Sequence, residues 1–363
     1  MAERLNLTHL TVRLIELPTR ASLAAAHDPN PEAVRRLTIV AAHADGDFGS
    51  AAGWGECSAL NTVGYTSESA QTAFEAFTSG DTVAIETAPM AFAALAHARL
   101  DAELRADGQS LAERLGTAGQ SAPAGAAVGL APIPTMLDEV EALAAAGFGR
   151  IKAKIAPGRV VEPVRAIRDR FPDIELQVDA NGSLGPNDLG LLASLRDLGV
   201  RAVEQPFAVD DHGLGGRLVA DTDLTVLADE GVRNLDQFWG LARAQAATAV
   251  TVKPPCLGGI AATLELLDAM AVAGFAGSLG GMLESGLGRN LLAALAPLSA
   301  FTITGDLSPA GRWLAADPFP DVEMVDGRIA APSGPGICGD PDIELLDHHT
   351  VATKTVELPP AAE

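Results

Sequence analysis

Asp179, Glu204 and Asp229 stand 25 residues apart along the chain, and Lys253 follows 24 residues after the last of them. Each closes a short apolar or β-branched run: Leu-Gln-Val before Asp179, Arg-Ala-Val before Glu204, Val-Leu-Ala before Asp229 and Val-Thr-Val before Lys253. A stretch able to form a helix separates each from the next. A strand, a helix and two loops consume about 25 residues, so the spacing is the period of a (β/α) repeat. In a barrel built from such units, residues at the carboxyl ends of successive parallel strands converge on one mouth. Three carboxylates and a lysine gathered there make a site for a hard metal ion with a base beside it.

A chain of 363 residues has room for one barrel plus a smaller domain. Apolar residues make up 48% and aromatics only 4%, a balance that points to helix-rich α/β and away from an all-β sandwich. The net charge of −22 repels nucleic acid and anionic membranes, which argues against both as partners. The N-terminus has no basic segment leading into an apolar core, and the longest apolar stretches are Ala/Gly-rich and broken by charge. Neither a signal peptide nor a membrane span is expected, and the expected location is the cytoplasm. Cys57, Cys256 and Cys338 lie far apart and read as isolated reduced thiols.

Along the chain, residues 5–17 and Arg36–Ala42 alternate as strands, and Gly53-Trp-Gly-Glu-Cys57 reads as the end of a third. Helical periodicity covers 67–79 and 86–107. These elements form an α+β domain expected over residues 1–125. The barrel follows over 126–316, and a tail over 317–363, strand-like at 343–357, packs back on the first domain. Barrel strands are expected near 131–135, 151–155, 175–179, 201–204, 225–228, 249–253, 276–280 and 301–304. Helices are expected at 136–147, 160–171, 187–198, 234–246, 260–273 and 288–298. The polar loop Thr19–Glu32, with Pro18, Pro29 and Pro31 in and beside it, is expected to be a mobile lid over the barrel mouth. Gly213-Leu-Gly-Gly lacks the Lys-Ser/Thr ending of a phosphate loop and reads as a βα loop. His348-His349 reads as an exposed pair.

Lys152 and Lys154 stand two apart in Ile-Lys-Ala-Lys-Ile, so in a strand both project from one face. Two ammonium groups on an inward face are costly unless something uses them, and the alternative is an exposed edge strand. The acidic triplet downstream favours the inward arrangement. Lys152-Ala-Lys154, Asp179-Ala-Asn181, Glu204-Gln-Pro206, Asp229-Glu230 and Lys253-Pro together resemble the enolase superfamily, specifically its muconate-lactonizing branch. Gly53-Trp54-Gly55-Glu56 is similar to the end of the sheet in that family's capping domain, and Met90-Ala-Phe92 to its long helix. Gly280-Gly281-Met282-Leu283-Glu284-Ser285-Gly286-Leu287-Gly288-Arg289 resembles the signature shared by o-succinylbenzoate synthases and N-succinylamino acid racemases, as does Gly305-Asp306-Leu307-Ser308-Pro309. Leu184, Ser308 and Pro255-Cys256 depart from the commoner residues at their positions.

The resemblance implies an α/β fold: a (β/α) barrel of the enolase type, a modified TIM barrel, with an N-terminal α+β capping domain. It implies Mg²⁺, with Mn²⁺ as a substitute, held by Asp179, Glu204 and Asp229, and a small carboxylate substrate approached by Lys154 and Lys253. The metal offsets the charge that builds up when a lysine removes the proton α to a carboxylate. Lys152, Asn181, Glu230, Gly281, Met282, Glu284 and Ser285 are expected to support the site or contact substrate. For Glu284 a structural carboxylate, bonded to Lys253 or a backbone amide, is the equal alternative. The expected reaction is the dehydration of 2-succinyl-6-hydroxy-2,4-cyclohexadiene-1-carboxylate to 2-succinylbenzoate, a carbon–oxygen lyase step on the way to menaquinone. N-succinylamino acid racemization is the nearest rival, followed by muconate cycloisomerization. A non-catalytic binding homologue is disfavoured, because buried charges without a use destabilise a fold. The oligomeric state, homo-oligomer included, is not readable from the chain.

Overall fold

The structure, a computed structural model, describes residues 6–20, 34–44, 53–61, 65–79 and 83–358. The chain opens with three strands, β1 (Leu7–Pro18), β2 (Val34–Ala44) and β3 (Gly53–Cys57). Helices α1 (Ala70–Thr78), α2 (Pro89–Ala106) and α3 (Leu111–Leu115) follow, then a short strand β4 (Ser121–Pro123). Strand β1 alternates apolar Leu10, Val12 and Leu14 with polar residues, as a strand with one buried face must. Helix α2 is alanine-rich and lies directly on β3, where a Cβ on Gly55 would run into the Ala94 carbonyl oxygen and one on Gly53 into Ala98 and Ala102. Gly55→Ala is therefore expected to destabilise the protein by about 3 kcal/mol, the upper range for overpacking, as read by urea unfolding.

Eight parallel strands come next: β5 (Gly125–Val128), β6 (Arg150–Lys154), β7 (Glu175–Asp179), β8 (Val200–Glu204), β9 (Thr225–Ala228), β10 (Ala249–Val252), β11 (Ala276–Leu279) and β12 (Phe301–Ile303). They pair in sequential order into one curled sheet. At its two edges, Gly125 N donates to Leu307 O at 3.0 Å. Between the strands run α4 (Ile133–Ala145), α5 (Glu162–Arg170), α6 (Leu189–Ser194), α7 (His212–Asp221), α8 (Leu235–Arg243), α9 (Pro254–Leu257), α10 (Ile260–Ala273) and α11 (Gly286–Leu295). The outward residues Ile151, Ala153, Leu176, Val178, Val203 and Val226 build the core beneath these helices. The chain ends with β13 (Met324–Val325), β14 (Arg328–Ala330), α12 (Ile343–His349) and β15 (Thr350–Glu357). Strand β14 pairs with β4, and β15 returns to pair antiparallel with β1, extending the N-terminal sheet to the order β15-β1-β2-β3.

Several expectations are corrected here. The first barrel strand is Gly125–Val128, not 131–135; Pro132 and Pro134 start a helix at Ile133, and Gly-Ala-Ala-Val has only one β-branched residue to mark a strand. Gly213–Gly216 lies inside α7 instead of in a loop. Asp211 caps that helix by accepting from Leu214 N at 3.1 Å, and a Cβ on Gly215 would sit 2.5 Å from the Ala246 carbonyl oxygen. The tail from 343 begins as helix, capped by Asp342 and anchored by buried Leu346, before β15. Of the loop Thr19–Glu32, residues 21–32 lie outside the described residues. Thr19 bridges to Leu314, and Arg20 N donates to Trp313 O at 2.7 Å. All three cysteines are free and buried. Among the described residues no helix is long and apolar enough to cross a membrane.

Candidate active site

Strand register brings the carboxylates and lysines together. Lys154 lies beside Asp179 across β6 and β7, and Asp179 lies beside Glu204 across β7 and β8. Asp229 and Lys253 each follow the last residue of the next two strands. Lys152 and Lys154 both point inward and are almost fully buried, so the exposed-edge alternative does not hold. Lys154 Nζ donates to Asp179 Oδ2 at 2.7 Å and to Asn181 Oδ1 at 2.8 Å. Lys152 Nζ reaches Glu204 Oε1 at 2.8 Å and Asp306 Oδ2 at 2.5 Å. Lys253 Nζ donates to Asp229 Oδ2 at 2.5 Å and to the Tyr65 hydroxyl at 2.7 Å.

The backbone turns sharply just past these strand ends. Asn181 and Gln205 adopt left-handed φ angles of 45° and 32°, conformations held only where surrounding bonds over-determine them. Asn181 N donates to Asp179 Oδ1 at 2.9 Å, and its amide nitrogen donates to Glu230 Oε1 at 3.0 Å. The Gln205 side chain accepts from the backbone of Asp229 and Gly231. Asp179 is thus aimed by its own turn, and the backbone at Asp229 is held by the turn after Glu204.

Burial sets the electrostatics. It pushes the Glu204 carboxyl up to about 8, aided by Asp179, Asp229 and Asp306 and opposed by Lys152. Burial alone would lower Lys253, but Asp229, Tyr65 and Glu230 outweigh it and hold the ammonium well above the usual lysine range. For Asp306 burial is likewise outweighed, here by Lys152 and Arg150, which keep it ionised far below the usual carboxylate range.

The loop after β11 is held by bonds of its own and by the N-terminal sheet. Glu284 accepts from Met282 N at 2.7 Å and pairs with Arg289, which fits the structural alternative with a backbone amide, though not with Lys253. Ser285 caps α11 and is bonded to Glu56 of β3, which ties the loop to the N-terminal sheet. Met282 is buried in the core of that sheet's helices, and a Cβ on Gly281 would meet Arg289 Nη2 at 2.5 Å. Gly280 bears directly on the site: a Cβ there would lie 2.7 Å from Thr251 Cγ2 and 2.9 Å from Lys253 Cγ. Gly280→Ala should displace the Lys253 amine and lower kcat by about 10²-fold with little change in melting temperature, measured by steady-state kinetics beside thermal unfolding.

A model of the enolase C-terminal domain-like family matches residues 135–345. The chain belongs to the enolase superfamily. An N-succinylamino acid racemase from Amycolatopsis sp. is 33% identical, covering 96% of this chain and 98% of its own length. An o-succinylbenzoate synthase from Bacillus subtilis (strain 168) is 33% identical over 92% and 93%. A solved enolase-superfamily protein from Listeria innocua superposes with a TM-score of 0.87 at 26% identity, covering 97% of this chain and 99% of its own.

Superfamily chemistry uses Mg²⁺, and the donors here suit it in kind. Asp229 Oδ1 and Glu230 Oε2 are buried without a hydrogen-bond partner, and Asp179 and Asp229 both act to raise Glu204. Asp229 Oδ1 lies 3.6 Å from the Arg233 guanidinium, and crowded carboxylates with oxygens free of hydrogen bonds are what a divalent cation relieves. Among the described residues no three His, Cys, Asp or Glu side chains surround a common point closely enough to grip an ion as they stand. Lysine amines occupy oxygens of all three carboxylates instead.

Three residues at this superfamily site escape a reading of local sequence. Tyr65 sits before α1 with its ring centroid 5.2 Å from Lys253 Nζ. Asp306 bridges Lys152 and Arg150. Arg233 Nη1 donates to the Asp229 carbonyl at 2.6 Å. Asp306 stands in a motif that resembles the family's, and its charge after a strand end was the available signal. Tyr65 offers no local signal, being a lone aromatic in a turn.

Proposed function

We propose that the protein is an o-succinylbenzoate synthase, dehydrating 2-succinyl-6-hydroxy-2,4-cyclohexadiene-1-carboxylate to 2-succinylbenzoate, a step toward menaquinone. The observation that carries this reading is the unequal setting of two lysines at one barrel mouth. Lys154 Nζ, oriented by Asp179 and Asn181, is placed to take the proton α to the ring carboxylate. Lys253, bonded to Asp229 and lying against Tyr65, is held as an ammonium and supplies a fixed positive charge as the substrate's charge grows. Asp179, Glu204 and Asp229 would hold Mg²⁺, which when bound offsets charge on the substrate carboxylate. Lys152 keeps Glu204 and Asp306 apart as charges and fixes the orientation of both. Elimination needs one base and one cation, which is the division of labour this arrangement provides.

A second reading, N-succinylamino acid racemase, is supported by the relative from Amycolatopsis sp. that matches nearly the whole chain. It requires Lys154 and Lys253 both to exchange protons with substrate. Incubation with Mg²⁺ in D₂O, separately with the cyclohexadiene and with N-succinyl amino acids, decides between them by NMR. Dehydration far faster than racemization supports the synthase. The reverse order replaces it with the racemase, and neither dehydration of the cyclohexadiene nor α-proton exchange on the N-succinyl amino acids would leave a binding protein.

A further inference from the structure

Arg35, on β2, is 6% exposed and belongs to no part of the site described above. Its guanidinium is spread over backbone carbonyls of two separate loops. On one side Nε donates to Leu283 O at 3.0 Å and Nη2 to Met282 O at 2.9 Å. On the other, Nη1 donates to Ala59 O at 3.0 Å and Nη2 to Ser58 O. A planar group with five donors in a fixed fork can span such a set, whereas a lysine amine is a single point.

Both loops border Lys253. The first leaves β11 through Gly280, whose backbone lies against the Lys253 side chain, and it contains Leu283 in a left-handed conformation with φ 55°. A leucine holds such a backbone only where its surroundings impose it, and Arg35 binds the carbonyl of that very residue. The second loop runs on to Leu60, whose carbonyl lies 3.3 Å from Thr66 Oγ1, a hydroxyl whose shorter bond goes to the Glu68 carbonyl at 2.5 Å. Thr66 directly follows Tyr65, the residue whose hydroxyl lies on Lys253 Nζ.

We infer that Arg35 is a positioning residue of this site, clamping the Ser58–Ala59 and Met282–Leu283 segments so that the Tyr65 hydroxyl and the Gly280 backbone stay against Lys253. The inference rests on the reading of Lys253 as catalytic, but the clamp acts whatever the substrate. Without Arg35 the buried Ser58, Ala59 and Met282 carbonyls and the half-buried Leu283 carbonyl each lose a donor, the Leu283 turn relaxes, and Lys253 loses its two walls.

The chain contains a single tyrosine, so protein labelled with tyrosine carrying ¹³C only at Cζ gives one NMR line that reports on Tyr65 alone. The experiment compares wild type, Arg35→Met and Arg35→Lys by that line and by Mg²⁺-dependent turnover of the cyclohexadiene or N-succinyl amino acids. In Arg35→Met the line should move toward the position of free tyrosine, and kcat should fall about 10²-fold with a smaller change in KM, as misplacement of a reacting group by about an ångström produces. Arg35→Lys should lie between the two. A residue of purely structural use would lower the melting temperature while leaving the line and kcat in place, and that result overturns the inference. Should Arg35→Met fail to fold, Arg35→Lys decides by the same two readouts. Should wild type neither dehydrate the cyclohexadiene nor exchange an α-proton on N-succinyl amino acids, the proposed function fails, and the Tyr65 line by itself still accepts or rejects the clamp.

Discussion

Asp179→Asn and Glu204→Gln are each expected to reduce turnover by more than about 10²-fold, beyond the 10–100-fold typical of residues that only support a metal's ligands. The amides keep the side-chain size and one acceptor oxygen but remove the charge a divalent cation needs. Activity should be abolished by EDTA and restored by Mg²⁺ or Mn²⁺. Both carboxylates are buried and paired, Asp179 with Lys154 and Glu204 with Lys152. Removing one charge leaves its lysine short of a counter-ion, and breaking a buried pair costs about 3–5 kcal/mol when nothing compensates. Lys152 retains Asp306 at 2.5 Å, so Glu204→Gln should cost less stability than Asp179→Asn. Steady-state rates and urea unfolding of both variants, measured together, test this ordering. Turnover retained at a tenth of wild type would remove both residues from the metal-ligand role.

Lys154→Arg is expected to abolish dehydration, because a guanidinium stays protonated at any workable pH and cannot accept the α-proton. Lys253→Arg keeps a cation beside Asp229 and Tyr65 and should retain a measurable fraction of the dehydration rate. On N-succinyl amino acids both variants should be inactive in racemization, since that reaction needs a working acid–base on each face of the substrate. The contrast between the two variants, more than either rate alone, separates the two chemistries. Equal loss of dehydration in both would remove the fixed-cation role from Lys253.

The parts of the site legible in the chain are those governed by short periods. The two-residue alternation of a strand puts Lys152 and Lys154 on one face, and the (β/α) period sets Asp179, Glu204, Asp229 and Lys253 at successive strand ends. Where local signals compete, the same reasoning misplaces elements. Pro132 and Pro134 begin a helix where a strand is expected, and Gly213–Gly216 is helical because close packing on Ala246 requires small residues. Glu284 and Ser285 stand in a motif that resembles a ligand loop, yet their bonds go to Arg289 and Glu56.

Sequence alone determined the repeat, the strand ends and the identity of the charged groups, because each depends on neighbours within about 25 residues and on the fixed rise of a strand or helix. Only the tertiary structure decided what those charges face. Tyr65 meets Lys253 from 188 residues away, Asp306 meets Lys152 from 154, and Arg35 reaches the Leu283 carbonyl from 248. No local pattern encodes such pairings. The Asp306 pairing arises when the curled sheet brings its two edges together, the other two when the N-terminal part packs on that sheet, and burial then makes each unpaired charge too costly to leave without a partner.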